Sequence, residues 1–209
     1  MVASLSTRQR ILLYWPNICD YGRLSCILLG LLMHWQGNYV QFILLMVTNF
    51  FGDEIDGRLA RHFGQVSSFG SNLDLILDEL QNVVLITSIV LSGNAATLMI
   101  LFLMTLQYVD VASCYLMLAS ITSYGSSHVG CASFSGYRLL NLYYNNSAFF
   151  KLLVNGELAM KTLIYYKCFI LPSSGVWKLL VPFACLRLVV NVSKLMYCLN
   201  VLLISDEKA

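Results

Sequence analysis

Charged residues are scarce in this sequence. Aspartate, glutamate, lysine and arginine make up only 11% of its 209 residues, whereas a soluble globular domain carries about 25%. Together with an apolar content of 58%, this scarcity excludes an ordinary water-soluble domain. The net charge of +2 is also too small and too scattered for a nucleic-acid-binding surface.

Cysteine pairs with a metal-binding spacing are missing as well. The chain has seven cysteines, an odd number, and no two of them form a C-x-x-C pair. Most of them lie within apolar segments. This pattern disfavours a zinc site or a disulfide framework and predicts buried, reduced thiols. The N-terminus lacks a clear cleavage site, so we predict no removed signal peptide.

Apolar residues are instead concentrated in six long stretches. A helix that crosses a membrane needs about 20 mostly apolar residues, and six segments approach this length: 18–35, 38–57, 72–92, 95–120, 147–171 and 176–204. We therefore predict an all-α integral membrane protein with six transmembrane helices, forming a single domain over residues 1–209. Basic residues favour a cytoplasmic side for the N-terminus and for the loop after the second stretch: Arg8, Arg10, Arg58 and Arg61.

Four aspartates stand in strongly apolar surroundings where the second and third stretches meet. Asp53 and Asp56 are three residues apart, and Asp74 and Asp78 are four apart, so each pair shares one face of a helix. An aspartate at the centre of a membrane costs about 2.5–3.5 kcal/mol, and grouped carboxylates repel one another. Two divalent cations would cancel four carboxylates, and hard oxygen ligands select Mg²⁺ or Mn²⁺. We therefore predict a two-metal site suited to displacement at phosphorus.

Small residues and one arginine accompany the aspartates. Gly57, Ala60 and Gly70 permit the close approach of a ligand or of a neighbouring helix, and the sequence leaves both interpretations open. Arg61 supplies a permanent, planar cation suited to a phosphate. A divalent-cation transporter would account for the carboxylates but gives no reason for Gly57 and Arg61.

The spacing of these residues resembles, without a gap, the signature of the CDP-alcohol phosphotransferase family: Asp53-x2-Asp56-Gly57-x2-Ala60-Arg61-x8-Gly70-x3-Asp74-x3-Asp78. Shorter strings along nearly the whole chain resemble the eukaryotic members that use inositol: PNICDYGR at 16–23, GQVSSFGSNLD at 64–74, YVDVAS at 108–113, YRLLNLYY at 137–144 and NGEL at 155–158. The resemblance implies transfer of a phosphatidyl group from CDP-diacylglycerol to myo-inositol, with release of CMP.

The same resemblance implies roles for individual residues. The metal ions would be bound by Asp53, Asp56, Asp74 and Asp78, and Asp78 would also take the proton from the incoming hydroxyl. The CDP-lipid would be held by Gly57, Ala60, Arg61, Ser67 and Gly70 in the segment 53–78. Further implications are Mg²⁺ or Mn²⁺ as cofactor, a homodimer, and an endoplasmic-reticulum location with the site facing the cytoplasm.

Two residues at the start of the first stretch have two interpretations. The resemblance implies that Asn17 and Arg23 help to shape the polar pocket. Alternatively, Asn17 caps a helix and the long side chain of Arg23 reaches the membrane interface.

The sequence departs from the inositol-using members where they carry basic residues. Glu79 replaces an arginine, Cys114 a histidine and Val129 a lysine, while Asn145, Asn146 and Ser147 stand where a basic residue is usual. Three explanations stay open: an inositol enzyme with its donors placed differently, a relative that uses another alcohol, or a low-activity paralogue that acts as a regulatory membrane partner.

Ionisable residues outside the signature also have alternative interpretations. Arg187 and Lys194 fall on nearly one face of the last apolar stretch. They could pair with lipid phosphate, pair with Glu157 of the preceding stretch, or reach the interface. His128, in a loop rich in serine and glycine, could contact a polar substrate or be an ordinary loop residue.

Overall fold

The computed structural model describes residues 6–124, 136–173 and 175–206. All regular elements in these ranges are helical, without a strand, which confirms the all-α prediction. They are α1 (Thr7–Leu12), α2 (Trp15–Trp35), α3 (Tyr39–Phe63), α4 (Ser68–Leu91), α5 (Thr97–Tyr124), α6 (Arg138–Asn145), α7 (Ser147–Phe169), a 3₁₀ turn (Val176–Leu180) and α8 (Val181–Asp206). Each predicted apolar stretch coincides with a long helix. His128 and Val129 lie outside the described residues.

Two segments of the described chain are long and apolar enough to cross a membrane. They are Thr97–Ile121, within α5, and Val176–Ile204, which joins the 3₁₀ turn to α8. The helices α3 and α4 carry several charged residues, including the four signature aspartates. The count of six spans therefore stays a prediction.

The internal contacts divide the chain into two compact units, Met1–Leu91 and Ser92–Ala209. The first unit contains α1 to α4, and the second contains α5 to α8 with the 3₁₀ turn. The prediction of a single domain over residues 1–209 is not tested by this division and stays a prediction.

The first unit is built on a close antiparallel pair, α2 and α3. Pro16 stands in the first turn of α2, where its missing N–H costs nothing. A Cβ atom at Gly52 of α3 would lie 2.7 Å from the Cγ atom of Arg23, so glycine is required for this approach of the two helices. Farther along α3, the buried Asn49 donates a 2.5 Å hydrogen bond to Gln81 of α4. These contacts fix where α2, α3 and α4 present their polar side chains.

One hydrophobic cluster of the second unit lies where α6 and α7 pack against α8. Its buried members are Leu140, Tyr143, Leu153, Val190, Tyr197 and Cys198. Burial raises the pKa of the Tyr143 phenol, whose oxygen accepts a hydrogen bond from Arg187. The phenol therefore stays protonated and neutral at physiological pH.

Charged side chains are also buried in the second unit. Arg187 of α8 lies 3.4 Å from Asp110 of α5 and 3.5 Å from Glu157 of α7. Lys161 lies 2.6 Å from Glu157, and Asn191 donates a 3.0 Å hydrogen bond to Asp110. Of the alternatives open for Arg187, pairing with Glu157 is the one that the structure shows.

Candidate active site

The four signature aspartates surround one guanidinium group. Arg23, on the buried face of α2, has its Nη1 atom 2.9 Å from Asp56 and 2.5 Å from Asp74. Its Nη2 atom lies 2.5 Å from Asp78 and 3.6 Å from Asp53. The Arg23 side chain is only 1% exposed, so it belongs to the polar site and does not reach the interface. The two aspartates of α3 and the two of α4 therefore face one point.

A fifth carboxylate, which our sequence analysis missed, belongs to the same cluster. Asp20 is buried one turn before Arg23 on α2, with its Oδ1 atom 3.2 Å from Nη1 of Arg23. The available signal was an acidic and a basic residue three positions apart in an apolar stretch, which places both on one helix face. Asp20 lies outside the family signature, which runs from Asp53 to Asp78, so the signature did not point to it.

The carboxylate oxygens form two groups of three. The first carboxylate group consists of Asp20, Asp56 and Asp74, and the second of Asp53, Asp74 and Asp78. Within each group, one oxygen from every residue lies within 4.8 Å of the others. Nη1 of Arg23 contacts all three members of the first group, whereas Nη2 contacts Asp53 and Asp78 of the second.

The chemistry of this donor set fits divalent cations. Carboxylate oxygens are hard ligands of the kind that Mg²⁺ and Mn²⁺ prefer. When all five carboxylates are ionised, the single guanidinium leaves four negative charges, which two divalent ions would balance. Charge of one sign in apolar surroundings is costly unless it is compensated. Further cations would therefore stabilise the cluster.

A cavity of about 330 Å³ adjoins the first carboxylate group. It is lined by that group and by all five residues expected to hold the CDP-lipid: Gly57, Ala60, Arg61, Ser67 and Gly70. A Cβ atom at Gly70 would lie 2.7 Å from the Oδ1 atom of Asn17. Asn17 is itself fixed by a 2.6 Å hydrogen bond from its amide to the Ile11 carbonyl. A side chain at position 70 would therefore collide with the wall of the cavity.

Two groups that attract anions border this cavity. The Oγ atom of Ser67 accepts a 3.0 Å hydrogen bond from the Gly70 N–H, which stabilises the first turn of α4 at the cavity edge. The N-terminus of a helix carries partial positive charge and exposed N–H groups that bind phosphate. Arg61 makes no ion pair with the residues that the structure describes, so its guanidinium is available for a ligand.

Two departures from the inositol-using pattern have local explanations. The Nζ atom of Lys194 lies 3.4 Å from the Sγ atom of Cys114, so an amine stands beside the position where a histidine is usual. Asn146 accepts a 3.0 Å hydrogen bond from the Phe149 N–H and is the N-cap of α7, which begins at Ser147. An asparagine is favoured there because it caps the helix.

Comparison with known proteins identifies the family. Residues 13–173 match the pattern of the CDP-alcohol phosphatidyltransferase family. The chain belongs to this family, whose members are enzymes that depend on divalent metal ions.

Its relatives carry more specific names. A CDP-diacylglycerol–inositol 3-phosphatidyltransferase of Candida albicans is 30% identical over 77% of this chain and 70% of that protein. A probable enzyme of the same name from Arabidopsis thaliana is 35% identical over 66% of this chain and 60% of its own length. The Homo sapiens enzyme is 29% identical over 72% of this chain and 69% of its own length. No solved structure matches the chain.

Proposed function

We propose that this chain transfers a phosphatidyl group from CDP-diacylglycerol to myo-inositol and releases CMP. The names of its fungal, plant and human relatives support these substrates. The observation that carries the proposal is the cluster of carboxylates around Arg23, which borders a cavity lined by Arg61 and the first turn of α4. Such a site combines cation ligands with phosphate ligands, as a diphosphate substrate requires.

The proposed cofactor is a pair of Mg²⁺ or Mn²⁺ ions, with Asp53, Asp56, Asp74 and Asp78 as their ligands. When bound, divalent ions neutralise phosphate charge and polarise the phosphoryl oxygens. The grouping of the carboxylate oxygens within 4.8 Å of one another supports these ligands.

The residues that line the cavity are proposed to hold the CDP-lipid. The planar guanidinium of Arg61 donates paired hydrogen bonds to a phosphate, and the first turn of α4 offers backbone N–H groups. Gly57, Ala60 and Gly70 line the cavity, and their small size leaves space for the nucleotide. Ser67 keeps the first turn of α4 in place.

Asp78 is proposed to act as the general base. Its side chain is 47% exposed, whereas that of Asp56 is 7% exposed, so an incoming hydroxyl can reach it. The inositol oxygen bonds to the phosphorus that carries diacylglycerol, and the bond from that phosphorus to the CMP oxygen breaks. Asp78 takes the hydroxyl proton, which makes the alcohol a competent nucleophile.

The membrane arrangement forms part of the proposal. Six helices of one domain span the endoplasmic-reticulum membrane, the site faces the cytoplasm, and two chains form a homodimer. Many large apolar side chains on the long helices are exposed, among them Trp35 at 89% and Leu98 at 81%. Apolar surface of this extent fits contact with lipid or with a second chain.

A transferase that uses another alcohol is the second candidate. Glu79 favours it, because an acidic residue stands directly after Asp78 where the inositol-using pattern has an arginine. The amine of Lys194 beside Cys114 favours the inositol enzyme, since it supplies a cation near a position where a basic residue is missing.

An incorporation assay tests the proposal. Membranes with the expressed chain are incubated with CDP-diacylglycerol, Mg²⁺ or Mn²⁺, and labelled inositol, glycerol 3-phosphate or serine in parallel. We expect labelled inositol lipid and an equal amount of CMP, both absent from membranes without the chain. Incorporation of another alcohol alone would support the second candidate. A purified chain that turns over no alcohol would overturn both and favour a regulatory partner.

A further inference from the structure

Asp20 lies outside the family signature but inside the acidic cluster. It is contributed by α2, whereas the signature aspartates belong to α3 and α4. Asp20 is 2% exposed, and one of its oxygens lies within 4.8 Å of an oxygen of Asp56 and one of Asp74. It also lines the cavity next to these two residues. Asp20 is therefore positioned where it could coordinate a metal ion.

Pairing with Arg23 alone does not account for this burial. The guanidinium carries one positive charge, and it already lies within 3.6 Å of four other carboxylates. Its contact with Asp20, at 3.2 Å, is longer than those with Asp56, Asp74 and Asp78. Asp20 adds a buried carboxylate to this group, and one cation cannot compensate the added repulsion.

The guanidinium itself marks two positions for positive charge. Its Nη1 atom contacts the three residues of the first carboxylate group, and its Nη2 atom contacts two residues of the second. Nη1 therefore provides positive charge to the first carboxylate group, and Nη2 provides it to the second. A divalent ion in contact with the first group would find the oxygens of Asp20, Asp56 and Asp74 already gathered.

We propose that Asp20 is a third carboxylate ligand, beside Asp56 and Asp74, for one of two divalent ions, and that Arg23 competes with the ions for the same oxygens. The inference rests on the proposed metal-dependent function and adds a ligand that the family signature does not contain. Arg23 holds the carboxylates together in the metal-free chain and is displaced from them by the ions.

Direct measurement of Mn²⁺ binding tests the role of Asp20. The full chain is purified in detergent, and free Mn²⁺ is followed by electron paramagnetic resonance during a titration. We expect two bound ions in the wild type. Asp20→Asn should weaken one of them by at least about tenfold, the smallest loss typical of groups that support a metal. Glu54→Gln is the matched control, because Glu54 lies on α3 and pairs with Arg58 at 2.9 Å.

A double-mutant cycle separates a ligand from a partner of Arg23. In chains that carry Arg23→Gln, Asp20 no longer has a guanidinium to bind, so any remaining effect of Asp20→Asn acts on the ion itself. We expect Arg23→Gln alone to tighten Mn²⁺ binding, and the added Asp20→Asn to weaken it again by at least about tenfold. Loss of the Asp20 effect in this background would show that Asp20 acts only through Arg23.

The outcomes distinguish this inference from the proposed function. A wild-type chain that binds no Mn²⁺, or an Asp56→Asn variant that binds like the wild type, overturns the metal site as a whole. If Asp20→Asn binds two ions with the wild-type affinity, the proposed role of Asp20 is wrong and the rest of the metal site is unaffected. If Asp20→Asn does not fold, Asp20→Glu keeps the charge but moves the oxygens. Wild-type affinity in that variant contradicts a ligand, and a several-fold loss supports one.

Discussion

The two units of the chain both bury charged side chains, but they balance them differently. In the Met1–Leu91 unit, five carboxylates share the single guanidinium of Arg23. In the Ser92–Ala209 unit, two carboxylates, Asp110 and Glu157, meet two cations, Arg187 and Lys161. The first cluster has an excess of negative charge, and the second is neutral.

This difference distinguishes the proposed metal site from a structural network. A neutral cluster satisfies its own charges and joins the helices that contribute to it, here α5, α7 and α8. An acidic cluster in apolar surroundings has a desolvation cost that added cations reduce. The comparison predicts that divalent ions stabilise the first cluster and leave the second unaffected.

The largest expected effect is on catalysis, in the acidic cluster. Asp78→Asn removes both the proposed base and a carboxylate of the second group, so incorporation of labelled inositol should fall by at least about 100-fold. Glu54→Gln, with the same change of charge on α3, should keep the wild-type rate per amount of protein. Activity near the wild-type level in Asp78→Asn would remove that residue from the chemistry.

The next largest effect is on the stability of the neutral cluster. Arg187→Met leaves Asp110 without its cation and should lower the free energy of unfolding by about 3–5 kcal/mol. The exposed Arg58 pairs with Glu54, and Arg58→Met should cost less than about 1 kcal/mol. Thermal unfolding in detergent measures both. A larger stabilisation by Mn²⁺ in Arg187→Met than in the wild-type chain would contradict the distinction between the clusters.

Metal addition should have a smaller effect, confined to the acidic cluster. Mn²⁺ at about 100 times its dissociation constant should stabilise the wild-type chain by about 2.7 kcal/mol per site, and a chelator should reverse the shift. Asp56→Asn removes a carboxylate from the first group and should reduce the stabilisation by Mn²⁺. A thermal unfolding midpoint that does not change with Mn²⁺ would mean that the excess negative charge binds no ion.

The smallest effect concerns the approach of α2 and α3 behind Arg23. Gly52→Ala would place a Cβ atom 2.7 Å from the Cγ atom of Arg23, and such overpacking costs about 1–3 kcal/mol. Gly22→Ala is the control, because no atom lies within 4 Å of the added Cβ. It should stabilise α2 by up to about 1 kcal/mol. Equal thermal unfolding midpoints for the two variants would show that α2 and α3 move apart without loss of stability.

Local patterns predicted the helices and part of the candidate site. The apolar stretches indicated where long helices form, because a run of this length has few alternatives. The four signature aspartates were recognised because carboxylates in apolar sequence are costly. Asp20 was missed, since a single acid beside Arg23 has an evident local partner, and only packing brings Asp56 and Asp74 to it.

Contacts between distant residues could not be predicted from the sequence. Asp110 and Arg187 are 77 positions apart, and their pairing depends on how α5 and α8 pack. Arg187 was therefore left with three alternatives. Asn146 was interpreted only as the loss of a basic residue, although an asparagine before an apolar stretch is also typical of a helix cap.

The sharing of Asp74 between the two carboxylate groups has a consequence for how the two proposed metal positions are filled. Because Asp74 offers oxygens to both positions, an ion that binds at either one fixes a ligand of the other. Occupancy of the two positions is then interdependent, so that the two binding steps seen in a titration of the wild-type chain affect each other. Asp74 is also the residue at which a single substitution should disable both proposed metal positions, since no other aspartate belongs to both groups.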